Sequence, residues 1–166
     1  MRTIPEWEPV AAALCEANPE LDDPRVTLEG VEPVATFSRM PPIYLAQIKG
    51  PATARHWGLL RRNGPGWDVL GIEPSRGAAF AEARDWVLLT VEKILRAREQ
   101  RGTWDMRCPA CGAALLFERF DEQGQAEWEP CPDHPRQRVI APLIPLALQR
   151  QWLTAIHPAI LPSDGQ

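Results

Sequence analysis

Residues 56–73 run His56-Trp57-Gly58-Leu59-Leu60-Arg61-Arg62, then Asn63-Gly64-Pro65-Gly66, then Trp67-Asp68-Val69-Leu70-Gly71-Ile72-Glu73. Two apolar runs flank a connection made of Asn, Gly and Pro. Asn and Gly accept the positive φ that a tight reversal needs, so the stretch reads as a β-hairpin. A helix pattern follows at once. Phe80, Ala83, Val87, Thr90, Val91 and Ile94 recur at three- and four-residue steps, which predicts one long helix over about residues 77–99 with a single apolar face. Ser75 can cap its start, and Arg96, Arg98 and Arg101 suit the negative end of its dipole. Glu92 and Arg96 stand four apart in the favourable order, and Gly102 is a natural stop. A hairpin running straight into such a helix predicts an α+β fold, a small antiparallel sheet covered by one long helix.

The neighbouring segments extend that picture. Arg25–Glu29, Val34–Phe37 and Ile43–Ile48 have strand composition, with Pro33, Pro41 and Pro42 breaking them into edges and bends. Glu8–Ala17 reads as a short helix with Pro9 in its first turn and Asn18-Pro19 as its end, followed by a polar turn over 19–24. At the other end, Leu148, Trp152, Leu153 and Ile156 predict a C-terminal helix over 146–156, which Pro158 closes. The expected organisation is therefore a helical segment (1–24), a sheet-plus-helix domain (25–102), a metal unit (103–138) and a C-terminal helix and tail (139–166).

The metal unit rests on Cys108, Cys111, Cys131 and His134. They read C-P-A-C-G and C-P-D-H, with nineteen residues between Cys111 and Cys131. Two close pairs brought together by a hairpin-length spacer match what a tetrahedral zinc ion requires. Gly112 allows the chain to turn close to the metal in a conformation other residues resist. In the spacer, Ala114–Phe120 is one arm, residues 121–125 the turn, and Ala126–Glu129 the return arm. Asp133 offers an oxygen as an alternative to the His134 ring. Four protein ligands close the coordination shell, so the expected role of zinc is structural.

These residues resemble a zinc ribbon, over residues 108–134 only, with His134 standing where a fourth cysteine is usual. The resemblance implies a module that binds nucleic acid or braces larger nucleic-acid machinery. Residues 55–95 are more loosely similar to three-strand-plus-helix DNA-binding domains of the AP2 or integrase-arm type, which present a sheet face to the major groove. That similarity implies contacts from Arg55, Trp57, Arg61, Arg62, Trp67 and Arg76; a sheet-plus-helix core explains the same residues without any ligand.

Composition sets the remaining bounds. The chain has 166 residues, 45% of them apolar, and a net charge of −4. That is enough for a core and argues against a generic DNA-coating protein. Charge is uneven: −5 over residues 1–48, +4 over 49–107 and −3 over 108–166. Eighteen prolines, about twice the usual share, point to short elements and many turns. Arginine outnumbers lysine sixteen to two, and seven tryptophans could stack on bases, anchor a protein partner or fill the core. The N-terminus has no apolar signal region and no stretch approaches the length of a membrane span, so no membrane partner is expected. Three cysteines in metal spacing fit a reducing cytoplasm, with Cys15 left as a small buried residue or a reactive thiol.

No active site emerges. Zinc deaminases need an H-x-E upstream of P-C-x-x-C, yet His56 is followed by Trp57-Gly58 and His157 by Pro158-Ala159. Gly64-Pro65-Gly66 lacks the lysine and following helix of a phosphate loop. The sequence thus predicts a non-catalytic zinc-binding accessory protein of nucleic-acid machinery. The alternative is a protein-binding adaptor or inhibitor with no nucleic-acid contact.

Overall fold

The computed structural model of the chain describes residues 1–51 and 56–161. It is a mixed α+β structure. In chain order the elements are α1 (Glu8–Ala17), β1 (Thr27–Phe37), β2 (Ile43–Lys49), β3 (His56–Asn63), β4 (Gly66–Glu73), α2 (Arg76–Gln100), β5 (Phe117–Phe120), β6 (Gln125–Trp128), β7 (Ile140–Pro142), α3 (Leu143–Gln149) and β8 (Leu153–Ile156). Two compact units divide the chain. Met1–Asp85 with Thr154–Ile160 forms the first, and Trp86–Leu153 the second. Among the described residues no helix is long and apolar enough to cross a membrane.

The first unit is built on a five-stranded sheet of order β4-β3-β2-β1-β8. The hairpin forms as expected: Asn63 pairs with Gly66 across a two-residue loop, and Gly64 takes the positive φ of 57° that favours glycine there. Val34–Phe37 is not a separate strand. β1 runs through Pro33 as one element, with register shifts at Leu28/Gly30 and Pro33/Ala35. The missing N–H of Pro33 falls at the second irregularity, where a regular ladder bond is not required.

Both faces of this sheet are used. On one, Val10, Ala11 and Leu14 of α1 pack with Leu28, Ala46, Ile48 and Leu60. Gly58 makes the close approach possible, because a Cβ there would stand 2.7 Å from Leu14 Cδ2. Tyr44 meets Trp67 edge to face on the same side, ring centres 5.1 Å apart. On the other face α2 buries Ala79, Phe80 and Ala83. Glu82 Cγ there lies 3.6 Å from where a Cβ on Gly71 would be. Phe80 stacks on His157, just beyond β8, at 4.7 Å.

α2 has the ends its sequence announced. Ser75 Oγ accepts the N–H of Ala78, capping the start. At the finish, Gly102 takes φ 73° while Thr103 N–H donates to Arg98 O at 2.8 Å and Gly102 N–H to Glu99 O at 2.9 Å. This double bond pattern closes the last turn onto carbonyls that would otherwise lack donors.

The expected helix over 146–156 is corrected. Helix α3 starts earlier and ends at Gln149, and β8 follows as an edge strand of the five-stranded sheet. The break is Gln151, the one described non-glycine residue with positive φ, at 60°. Its N–H donates to Leu148 O and the Trp152 N–H to Ala147 O, a helix ending that usually needs glycine. Thr154 and Ile156 are β-branched, and Thr154 Oγ1 donates to Thr36 O of β1 at 3.0 Å. Strand pairing there outweighs the helical spacing of Leu148, Trp152 and Ile156.

Candidate metal centre

The second unit carries a three-stranded antiparallel sheet, order β5-β6-β7. Phe117 pairs with Trp128 and Phe120 with Ala126, so the expected hairpin is present. Its turn is held by Asp121, whose Oδ1 accepts the N–H groups of Gln123 (3.0 Å) and Gln125 (2.8 Å), and by Gly124 at φ 76°. Phe117 and Trp128 are buried and meet edge to face at 6.1 Å. β7 completes the sheet by pairing Glu127 with Ile140 and Gln125 with Pro142. The sequence reading ended the unit at 138 and missed this strand, because three residues that include a proline carry no legible alternation.

Cys108 and Cys111 sit on a tight turn before β5. Cys108 N–H donates to Ala113 O and Gly112 N–H returns to Cys108 O, each at 2.8 Å, with Gly112 at φ 73°. A bridge between Arg107 and Ala114 closes the base of the turn. Cys131 and His134 sit on a second turn after β6, with His134 N–H donating to Cys131 O at 3.0 Å. Glu129 N–H donates to Leu116 O at 2.8 Å, tying the two turns together through the ends of the hairpin.

The four candidate ligand atoms lie within 4.8 Å of one another. Cys111 Sγ is 3.6 Å from Cys131 Sγ. His134 Nδ1 is 3.9 Å from Cys108 Sγ and 3.8 Å from Cys131 Sγ. Metal bonds of ~2.3 Å to sulfur and ~2.0 Å to nitrogen, at tetrahedral angles, separate two sulfurs by about 3.8 Å and a sulfur from a nitrogen by about 3.5 Å. A disulfide would need about 2.05 Å. The donor spacing therefore fits a shared ion and excludes a bridge between Cys111 and Cys131. Of the two candidates for the fourth position, His134 joins the cluster; Asp133 is exposed and outside it.

Burial and electrostatics differ around the site. Cys108 and Cys131 are buried, and Cys111 is exposed. The Cys108 thiol is drawn below its ordinary value, first by the backbone N–H of Cys111 and further by that of Ala110, against the cost of burial. The Cys111 thiol is pulled down by the Ala113 N–H but moves up on balance, because the neighbouring Cys131 and Cys108 thiols and desolvation outweigh that bond. Backbone amides aimed at sulfur favour the thiolate, the form that binds metal. An ion of this donor set would be gripped by Cys108, Cys111, Cys131 and His134, leaving no open position.

Residues to which the sequence assigns helix-end roles or none at all hold this unit together. The Arg96 guanidinium, on the last turns of α2, donates to the carbonyls of Phe117 and Glu118, both at 3.2 Å, and lies over the Phe117 ring at 4.9 Å. Glu99 accepts the Phe117 N–H at 2.6 Å. Arg98 grips the buried Asp105 through Nε (2.6 Å) and Nη2 (3.0 Å). Arg150 donates to the Asp105 carbonyl at 3.2 Å. The legible signal was Arg96 and Glu99 one turn apart on a helix, where a charged pair can face structure as readily as solvent. Cys15, by contrast, is half-buried against the α1 cluster, and burial pushes its thiol up.

Of the six residues expected to face nucleic acid, the five described are spread over both faces of the β3–β4 hairpin and the start of α2. Arg55 lies outside the described residues. Trp57 and Arg61 alternate with Arg62 along β3 and so point to the opposite face from it; Trp67 pairs with Arg62. Arg61 pairs with Asp68 at 3.5 Å. The Arg62 guanidinium lies over Trp67 at 4.8 Å, and that of Arg76 over Phe80 at 5.0 Å. Comparison with family models, curated proteins and solved structures finds no match to this chain.

Proposed function

We propose that the chain is a non-catalytic zinc-binding protein that works through protein–protein contact, with zinc as the structural staple of residues 104–142. The observation that carries the zinc reading is the spacing of four donors, three sulfurs and one nitrogen, within 4.8 Å of one another. Three thiolates and an imidazole select zinc over hard cations such as magnesium or calcium, which take oxygen ligands. Four protein ligands leave no site for a water or a substrate, which favours folding energy over catalysis. A reducing cytoplasm suits such thiolates.

Three features favour a protein partner over nucleic acid. Arg61 and Arg62 of the sheet and Arg76 at the start of α2 are engaged by Asp68, Trp67 and Phe80 respectively. The sheet face opposite α2, the one that a three-strand-plus-helix DNA-binding domain lays in a groove, is occupied by α1. The stretch from residue 108 onward, which includes most of the metal unit, carries a net charge of −3. The nucleic-acid reading keeps one support, the +4 of residues 49–107. The two separate in one assay. A mixed pool of labelled oligonucleotides is titrated with zinc-loaded protein at ~50 mM salt, where phosphate contacts are strongest. The expected result is no binding at ~10 µM protein. Binding that weakens steeply with salt overturns the protein-contact reading in favour of nucleic acid.

A further inference from the structure

The first unit holds a cleft of about 210 Å³ lined by Trp7, Gly30, Glu32, Leu45, Gln47 and Trp57, with Val31 beside them. Strand register explains how it forms. Gly30 stands opposite Gln47, Gln47 opposite Trp57, and Glu32 opposite Leu45. Directly paired residues share a sheet face, so these five make one continuous patch. Trp7, at the end of the turn Pro5–Trp7, supplies the remaining wall. Gly30 provides the space: a Cβ built on it would meet nothing within 4 Å.

Size and chemistry narrow the occupant. The volume lies below the ~300–1,000 Å³ of small-molecule sites, so the cleft suits one long side chain rather than a cofactor. Two half-buried indoles line it, and tryptophan is the aromatic ring that best attracts a cation. Glu32 and Gln47 are exposed at the same cleft. Glu32 has no ion-pair or hydrogen-bond partner among the described residues, whereas nearby Glu29 is neutralised by Lys49 at 2.9 Å. Residues 1–48 add a net charge of −5. A planar guanidinium can stack on an indole and still direct its N–H groups to a carboxylate and an amide oxygen, which a lysine ammonium does less well.

We propose that this cleft binds an arginine side chain presented by a partner protein. Trp7 and Trp57 take its face, Glu32 balances its charge, and Gln47 accepts a hydrogen bond. The inference deepens the protein-contact reading and rests on it.

The test uses the zinc-loaded, isotope-labelled full chain and the capped tripeptide acetyl-Gly-Arg-Gly-amide. Indole N–H signals are followed by NMR and assigned through Trp7→Phe and Trp57→Phe. The signals of Trp7 and Trp57 are expected to shift together and saturate. A citrulline peptide, of the same shape without the charge, is expected to bind about tenfold more weakly. Gly30→Phe, which fills the cleft at a strand position with open space above it, is expected to abolish the shifts, and Glu32→Gln to weaken binding about fivefold. Equal binding of the citrulline peptide, full binding by a folded Gly30→Phe, or no movement of either indole at ~20 mM peptide, beyond even a millimolar Kd, overturns the proposal. The oligonucleotide assay keeps the two readings apart. Nucleic-acid binding by a protein whose cleft still takes arginine overturns only the broader reading. A silent cleft in a protein that ignores oligonucleotides overturns only this one.

Discussion

Cys111→Ser is expected to release the metal and unfold residues 104–142 while the five-stranded sheet persists. Cys111 is the exposed thiol of the set, so the change removes one sulfur and almost no packing. Any collapse then reports on coordination alone. Residues that merely support metal ligands are typically worth 10–100-fold in affinity, so losing a ligand should cost more than about a hundredfold. Apart from the metal, residues 104–142 are held by three short strands, a few buried side chains, chiefly Leu115, Phe117, Ala126 and Trp128, and the polar contacts from Arg96, Glu99, Arg98 and Arg150. Metal binding free energy in such small units is folding free energy. Hydrogen exchange checks this directly. Amides of β5 and β6 should lose protection, and those of β2 and β3 should keep it. Cys15→Ser is the control and should retain full metal content. A Cys111→Ser protein with undiminished metal would contradict the assignment.

Asp105→Ala is expected to be the most damaging change away from the metal ligands. The carboxylate is only 3% exposed and receives two N–H groups from Arg98, whose side chain is 30% exposed and lies over Trp152. Removing one partner of a buried pair leaves the other charge poorly solvated, at a cost of ~3–5 kcal/mol. The partial exposure of Arg98 places this site at the low end, about 3 kcal/mol. For a chain of this length that lowers Tm by ~6–12 °C in scanning calorimetry. The double change Arg98→Met with Asp105→Leu should recover much of the loss, since no unpaired charge remains. A single variant that melts within ~2 °C of the parent would mean that the pair contributes little.

Much of the fold was legible because local chemistry and tertiary packing agree. Glu8–Ala17 is a helix with the bounds its Pro9 start and Asn18-Pro19 end announced. The Asn63–Gly66 reversal and the Ser75 cap used residues whose geometry has few alternatives. The metal cluster was legible for the same reason, since two thiolate-bearing turns with a hairpin between them have few other uses. Where local and tertiary preferences diverge, the sequence misleads. Gln151 takes a left-handed conformation that nothing in its side chain requires. Pro33 reads as a strand end but sits inside one, because a bulge absorbs its missing donor. Opposite faces of β3 are set by alternation, so Arg61 and Arg62 were adjacent in the sequence and divergent in space. The cleft between Trp7 and Trp57 joins positions 50 residues apart and depends on a glycine's absent side chain, a signal that only register reveals.

The most direct measurement is elemental analysis joined to zinc-edge X-ray absorption on protein purified without added metal or affinity resin charged with metal. One zinc per chain is expected, with a shell of three sulfurs near ~2.3 Å and one nitrogen near ~2.0 Å. A protein free of metal whose β5–β6 amides remain protected would contradict it, as would a shell dominated by oxygen.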